Sequence, residues 1–240
     1  PVSKFDRPLL PEPMTYRVVF SKVGNLQFFS HLDLQRTWQR VLVRASIPMW
    51  YTQGFNPHSK IVFGIPLSVG TEGTHEMVDL RIDRAITPDE MRDQLNAELT
   101  DEMQVSAVYI PTTAFSDIAY ATYTVTVSDP SAASVGTDAV EALFAPGAAP
   151  ILMTKRTKSG DREMDILPLI REIHAAREAD GTLILHATLA AGGSANLSPE
   201  FLVAALREKL GMLTDTEHPD VCWYRILRTG FLCADGSEFR

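Results

Sequence analysis

Two helix-start signals, each set between strand-like patterns, constrain this chain more than any other feature. Thr87-Pro88-Asp89-Glu90 offers an N-cap residue, a proline for the first helical position and acids for the first turn. Ser198-Pro199-Glu200 repeats that device much later in the chain. Each is followed by an amphipathic stretch and then by a strand. A chain of 240 residues is long enough for one large domain or two small ones.

The order around the first signal is strand, helix, strand, strand, helix, strand. Tyr16–Val23 alternates and reads as a strand, closed by the Gly24-Asn25 turn. Ser30 caps a helix expected over His31–Ala45, with Asp33 in its first turn. Leu34, Trp38, Val41, Leu42 and Ala45 share one face of it, and Arg36, Arg40 and Arg44 the opposite one. Strands are expected at Ile61–Leu67 and Glu76–Ile82, on either side of the Gly70–Thr74 turn. In the second of these Val78, Leu80 and Ile82 point one way, and Met77, Asp79 and Arg81 the other. Helix Pro88–Leu99 and strand Met103–Ile110 complete the set.

The second half gives strands at Tyr120–Val127, Ile151–Thr157, Thr182–Ala190 and Cys222–Leu232. Helices are expected at Asp138–Phe144 and Pro199–Leu210. An additional helix is expected over Leu167–Arg177, where Ile166, Ile170 and Ile173 form a seam. The fold class is therefore α+β, with two tandem ferredoxin-like (βαββαβ) domains. Their bounds are 14–111 and 120–240, joined by a linker at 112–119. Residues 1–13 are proline-rich and polar, and they read as an N-terminal extension before Met14-Thr15-Tyr16.

The formal charge of −8 excludes bulk electrostatic attraction to nucleic acid, so any such contact needs a local patch. Cys222 and Cys233 form no CxxC, which leaves out a zinc ribbon or a thioredoxin motif. They read as reduced thiols of a cytoplasmic protein. There is neither an apolar run of membrane-spanning length nor a signal-peptide core, so no membrane contact is expected. No bound cofactor is expected either, since no cluster or nucleotide motif is present.

Four stretches could carry chemistry. Gly54-Phe55-Asn56-Pro57-His58-Ser59-Lys60 combines amide, imidazole and ammonium groups, the set that binds a phosphate or a base edge. It reads either as a ligand-presenting loop or as an ordered turn built on Asn56-Pro57. His31 is either a helix-cap histidine or, like His58, a general base. The Arg36/Arg40 stripe is either a phosphate reader or a solvated face. Lys155, Arg156, Lys158 and Arg162 cluster in one hairpin, either gripping phosphates or guarding a sheet edge. Gly192-Gly193-Ser194-Ala195-Asn196, before the last helix, matches no nucleotide-binding fingerprint. The pairs Glu76/Asp79 and Glu163/Asp165 match no recognised metal spacing.

Several of these pieces resemble the bacterial radical-SAM-associated family known as DUF2344. They are Phe20-Ser21-Lys22, Phe29-Ser30-His31-Leu32-Asp33, the Gly54–Lys60 loop, Pro66-Leu67-Ser68-Val69-Gly70, and Glu76 with Asp79. Asp165-Ile166 before Pro168 is similar to a further family pattern, with Leu167 where that pattern has an arginine. The resemblance implies an accessory role beside a separately encoded radical SAM enzyme. The chain lacks the CxxxCxxC that would hold such an enzyme's cluster. The resemblance also tilts the substrate toward RNA or another phosphate-bearing molecule. An endoribonuclease with His31 or His58 as base, and an interaction scaffold without a ligand, stay open as alternatives.

Overall fold

The computed structural model describes residues 6–157, 160–193 and 195–240, with the side chains of residues 155–157 outside that description. The chain divides into two compact units, Pro1–Phe115 with Arg240, and Ser116–Phe239. Together they make a mixed α and β protein with four α-helices among the described residues.

The first unit runs β1 (Leu9–Lys22), α1 (His31–Arg44), β2 (Ile61–Phe63), β3 (Thr71–Arg84), α2 (Pro88–Asn96) and β4 (Val105–Tyr109). Its strands lie in the order β4-β1-β3-β2, every neighbour antiparallel. Arg17 pairs with Asp79, Val18 with Val78, and Tyr16 with Leu80. Period-two alternation then separates the faces. Tyr16, Val18 and Phe20 meet Val78, Leu80 and Ile82 beneath Leu34, Trp38 and Val41 of α1 and Met91 and Leu95 of α2. Trp38 is fully buried, its ring edge-on to Phe20 with centroids 4.9 Å apart. Its indole N–H finds no acceptor among the described residues.

Both helices start as their sequences require. Ser30 accepts from the Asp33 N–H, and the Asp33 carboxylate returns to the Ser30 backbone in a reciprocal capping box. Thr87 accepts from the Glu90 N–H, with Pro88 in the first turn. The first strand begins before Met14. Arg7 makes a two-pronged ion pair with Glu90, at 2.6 and 2.9 Å, and donates to the Ala85 carbonyl at 3.1 Å. Residues 6–13 therefore belong to the fold rather than forming a bare extension.

The second unit runs β5 (Ile118–Ser128), α3 (Thr137–Phe144), β6 (Leu152–Thr157), β7 (Gly160–Asp165), β8 (Ile170–Arg177), β9 (Leu183–Ala190), α4 (Glu200–Leu210) and β10 (Trp223–Cys233). Its main sheet has the order β10-β5-β9-β8, again all antiparallel, while β6 and β7 form a separate hairpin. Three expectations change, two in this unit and one in the first. The stretch Leu167–Arg177 is not a helix: a 3-10 turn at Leu167–Leu169 leads into strand β8. A bulge between Ile170 and Glu172 adds one residue to that strand. It puts Ile170 and Ile173 on one face three residues apart, so a period of two imitates a helical seam. The helix after Ser198 gets no side-chain cap, because Pro199 itself occupies the N-cap position. The strand expected over Ile61–Leu67 stops at Phe63, ahead of Gly64.

Candidate functional site

The sheet face of the first unit that points away from α1 and α2 is polar, and its two neighbouring central strands supply the charges. Arg17 is the most deeply placed, fully buried, with its Nε and Nη2 on the two oxygens of Asp79 at 2.8 and 2.9 Å. It also donates to the Thr113 hydroxyl at 3.0 Å and lies 4.2 Å from the centroid of the Phe115 ring. A buried guanidinium needs this full set of partners, because an unpaired one would cost several kcal/mol.

Beside that pair is a cavity of about 320 Å3, lined by Thr15, Lys60, Val62, Asp79, Arg81, Ala114 and Phe115. Lys60 and Arg81 are brought together by the β2–β3 pairing, the Arg81 N–H donating to the Lys60 carbonyl at 3.2 Å. Arg81 also donates to the Thr15 hydroxyl at 3.3 Å. Among the described residues neither Lys60 nor Arg81 has a carboxylate within ion-pair distance. The one acid in the cavity, Asp79, has both oxygens engaged by Arg17. The cavity thus carries two uncompensated cations and a hydroxyl, which suits an anion.

The remaining residues singled out in the sequence are spread around this point. His58 lies on an exposed excursion closed by the Tyr51–Ser59 bridge, its Nδ1 3.1 Å from the Thr52 hydroxyl and 3.3 Å from the Asn56 carbonyl. Asn56 is exposed on the same excursion. His31 sits past the other end of β2, its ring edge-on to Phe63 at 5.3 Å. No hydrogen bond or ring contact joins the two histidines among the described residues. Arg36 and Arg40 are exposed on α1, across the sheet from Lys60. In the β6–β7 hairpin of the second unit, Lys155 lies opposite Arg162 and Arg156 opposite Asp161. Lys158 and Ser194 fall outside the described residues.

Sequence reasoning missed Arg81 as a site residue. The usable signal was Arg17, Asp79 and Arg81 alternating against apolar neighbours on two strands, which marks a charged sheet face.

A larger groove of about 700 Å3 lies between the end of α3 and β8. Its polar groups are already engaged. Glu172 meets His174 at 2.7 Å, Glu141 accepts from the Ala175 N–H at 2.8 Å, and the Arg171 guanidinium lies 4.7 Å from the Tyr120 ring centroid. Among the described residues no three His, Cys, Asp or Glu side chains gather as a metal site, and no helix is long and apolar enough to cross a membrane. Cys222 and Cys233 are free thiols, and burial pushes the Cys222 thiol up.

Fold and site together define an α and β protein with a cation-lined pocket on an open sheet face. The chain belongs to the family described as "Uncharacterized protein conserved in bacteria (DUF2344)", whose model matches residues 15–199. No curated protein matches it. Among solved structures it is similar to an unknown protein from Galdieria sulphuraria at 16% identity, covering 90% of this chain and 96% of that one, with a TM-score of 0.27. It is also similar to DypB in complex with manganese, at 14% identity, and to DyPB from Rhodococcus jostii RHA1, at 13%. Each of these covers 83% of this chain and 85% of the other, with a TM-score of 0.20.

Proposed function

We propose that the protein binds a phosphate-bearing substrate, RNA foremost, in the cytoplasm, and presents it to a separately encoded radical SAM enzyme. The observation that carries the phosphate reading is the pairing of Lys60 with Arg81 over a cavity whose only acid is already spoken for. Lysine supplies a mobile point charge, and arginine a fixed fork of donors, a complementary pair for a phosphodiester. The radical SAM partner rests on the family resemblance. Membership of the DUF2344 family supports it, together with a chain that has no cluster-binding motif of its own. The strand order of each unit, fourth-first-third-second with all neighbours antiparallel, supports reading both as ferredoxin-like.

The test is equilibrium binding of a labelled single-stranded oligoribonucleotide at low salt. Lys60→Ala and Arg81→Ala are each expected to weaken it roughly ten-fold or more, since a hydrogen bond to a charged group is worth about 1.5–3 kcal/mol. Arg162→Ala, in the other unit, serves as the comparison. If wild-type protein does not bind, or if all three variants bind as wild type does, the phosphate reading fails. Co-expression with the radical SAM enzyme tests the partnership separately, a stable co-purifying complex being the expected result.

A further inference from the structure

Phe55 is fully exposed. It stands on the excursion between Trp50 and Lys60, and its position is built rather than slack. The Tyr51–Ser59 bridge closes the base, and the Trp50 N–H donates to the Arg81 carbonyl at 2.7 Å. The Thr52 hydroxyl accepts from the His58 N–H at 3.1 Å, and the Thr52 N–H donates to the His58 carbonyl at 3.0 Å. Gly54 has φ +138°, a conformation that L side chains rarely adopt, and Pro57 fixes the return. The result is an arm with an aromatic ring at its tip and Lys60 and Arg81 at its root. Lys60 is five positions after Phe55, a reach of at most ~18 Å.

We infer that this arm takes single-stranded RNA, with Phe55 stacking on a base while Lys60 and Arg81 hold the backbone. The inference rests on the phosphate reading above and narrows it. Stacking on an exposed aromatic ring beside cations is how single strands are held without sequence preference. Duplex RNA keeps its bases stacked on each other and offers the ring nothing. The two cations at the root, in a chain of net charge −8, favour a polyanion over a protein surface as the occupant.

The experiment compares two probes, a short single-stranded oligoribonucleotide and inorganic polyphosphate, which has the charge but no bases. Phe55→Ala is expected to weaken the oligoribonucleotide by roughly 5- to 150-fold, the usual worth of one stacked base. It should leave both polyphosphate affinity and the melting temperature unchanged, because the ring supports nothing in the fold. Phe55→Tyr should retain most of the affinity. Lys60→Ala should weaken both probes. Oligoribonucleotide affinity unchanged in Phe55→Ala but reduced in Lys60→Ala overturns the stacking arm and leaves the phosphate reading standing. Binding of neither probe by wild-type protein overturns both. Loss of a protein complex in Phe55→Ala, with RNA affinity unchanged, would reassign the tip to a protein contact and overturn the inference.

Discussion

Arg17 shows how much one side chain can decide. It lies on the polar sheet face, yet it is sealed beneath Thr113 and Phe115 and neutralised by Asp79. That neutralisation is what leaves the neighbouring cavity positive, because Asp79 has nothing left for Lys60 or Arg81. Asp79→Ala is expected to destabilise the protein by about 1.5–3 kcal/mol, the worth of hydrogen bonds to a charged group, since it removes the carboxylate held by the Arg17 Nε and Nη2. Urea denaturation would register it as a lower midpoint at unchanged slope. A loss below ~1 kcal/mol would mean that the other partners of Arg17 suffice to hold it. The alternation of Arg17 was legible in the sequence, but its partner was not. Asp79 lies far along the chain, and only the β1–β3 register makes them neighbours.

At the level of the element, α1 depends on its first turn. The Ser30 hydroxyl donates to the Asp33 carboxylate at 2.6 Å, and this bond, with that from the Ser30 N–H, holds the Asp33 carboxyl below the usual carboxylate range. A group whose pKa is lowered by folding stabilises the fold above its unfolded pKa, here about 4, and ceases to as pH falls through the folded value. Ser30→Ala, which removes both the cap acceptor and the bonds to that carboxylate, is therefore expected to lower the urea midpoint at neutral pH. The gap from wild type should narrow in acid, as followed by urea midpoints at pH 7 and pH 3. An equal gap at both would show that the carboxylate takes no part. The capping box could be read in advance because Ser30 and Asp33 are three residues apart and need no tertiary partner. Strand β8 could not, because the bulge after Ile170 spaces its isoleucines like a helix. Helix α4 was placed correctly from Glu200 onward, although Ser198 does not cap it.

Across the whole molecule the charge balance governs how binding responds to salt. With a net charge of −8, attraction to RNA has to come from a few residues. Two phosphates neutralised by Lys60 and Arg81 predict that log K falls against log salt with a slope of about −1.4. A slope several times steeper would mean that further cations share the contact, the β6–β7 hairpin being the first place to look. Each unit also has a core of its own. Val125, Leu185, Val203 and Leu206 are fully buried in the second, as Val78, Leu80 and Trp38 are in the first. Trp38 is shut away from water against Phe20, whereas Trp223 on β10 is 39% exposed. Trp50, the third indole, is half-buried and lies with Trp38 in the first unit. With Trp50 replaced by phenylalanine each unit keeps one indole, so that quenching by a water-soluble agent selects Trp223 and short-wavelength emission reports Trp38, and the melting of each half can be followed without a dye.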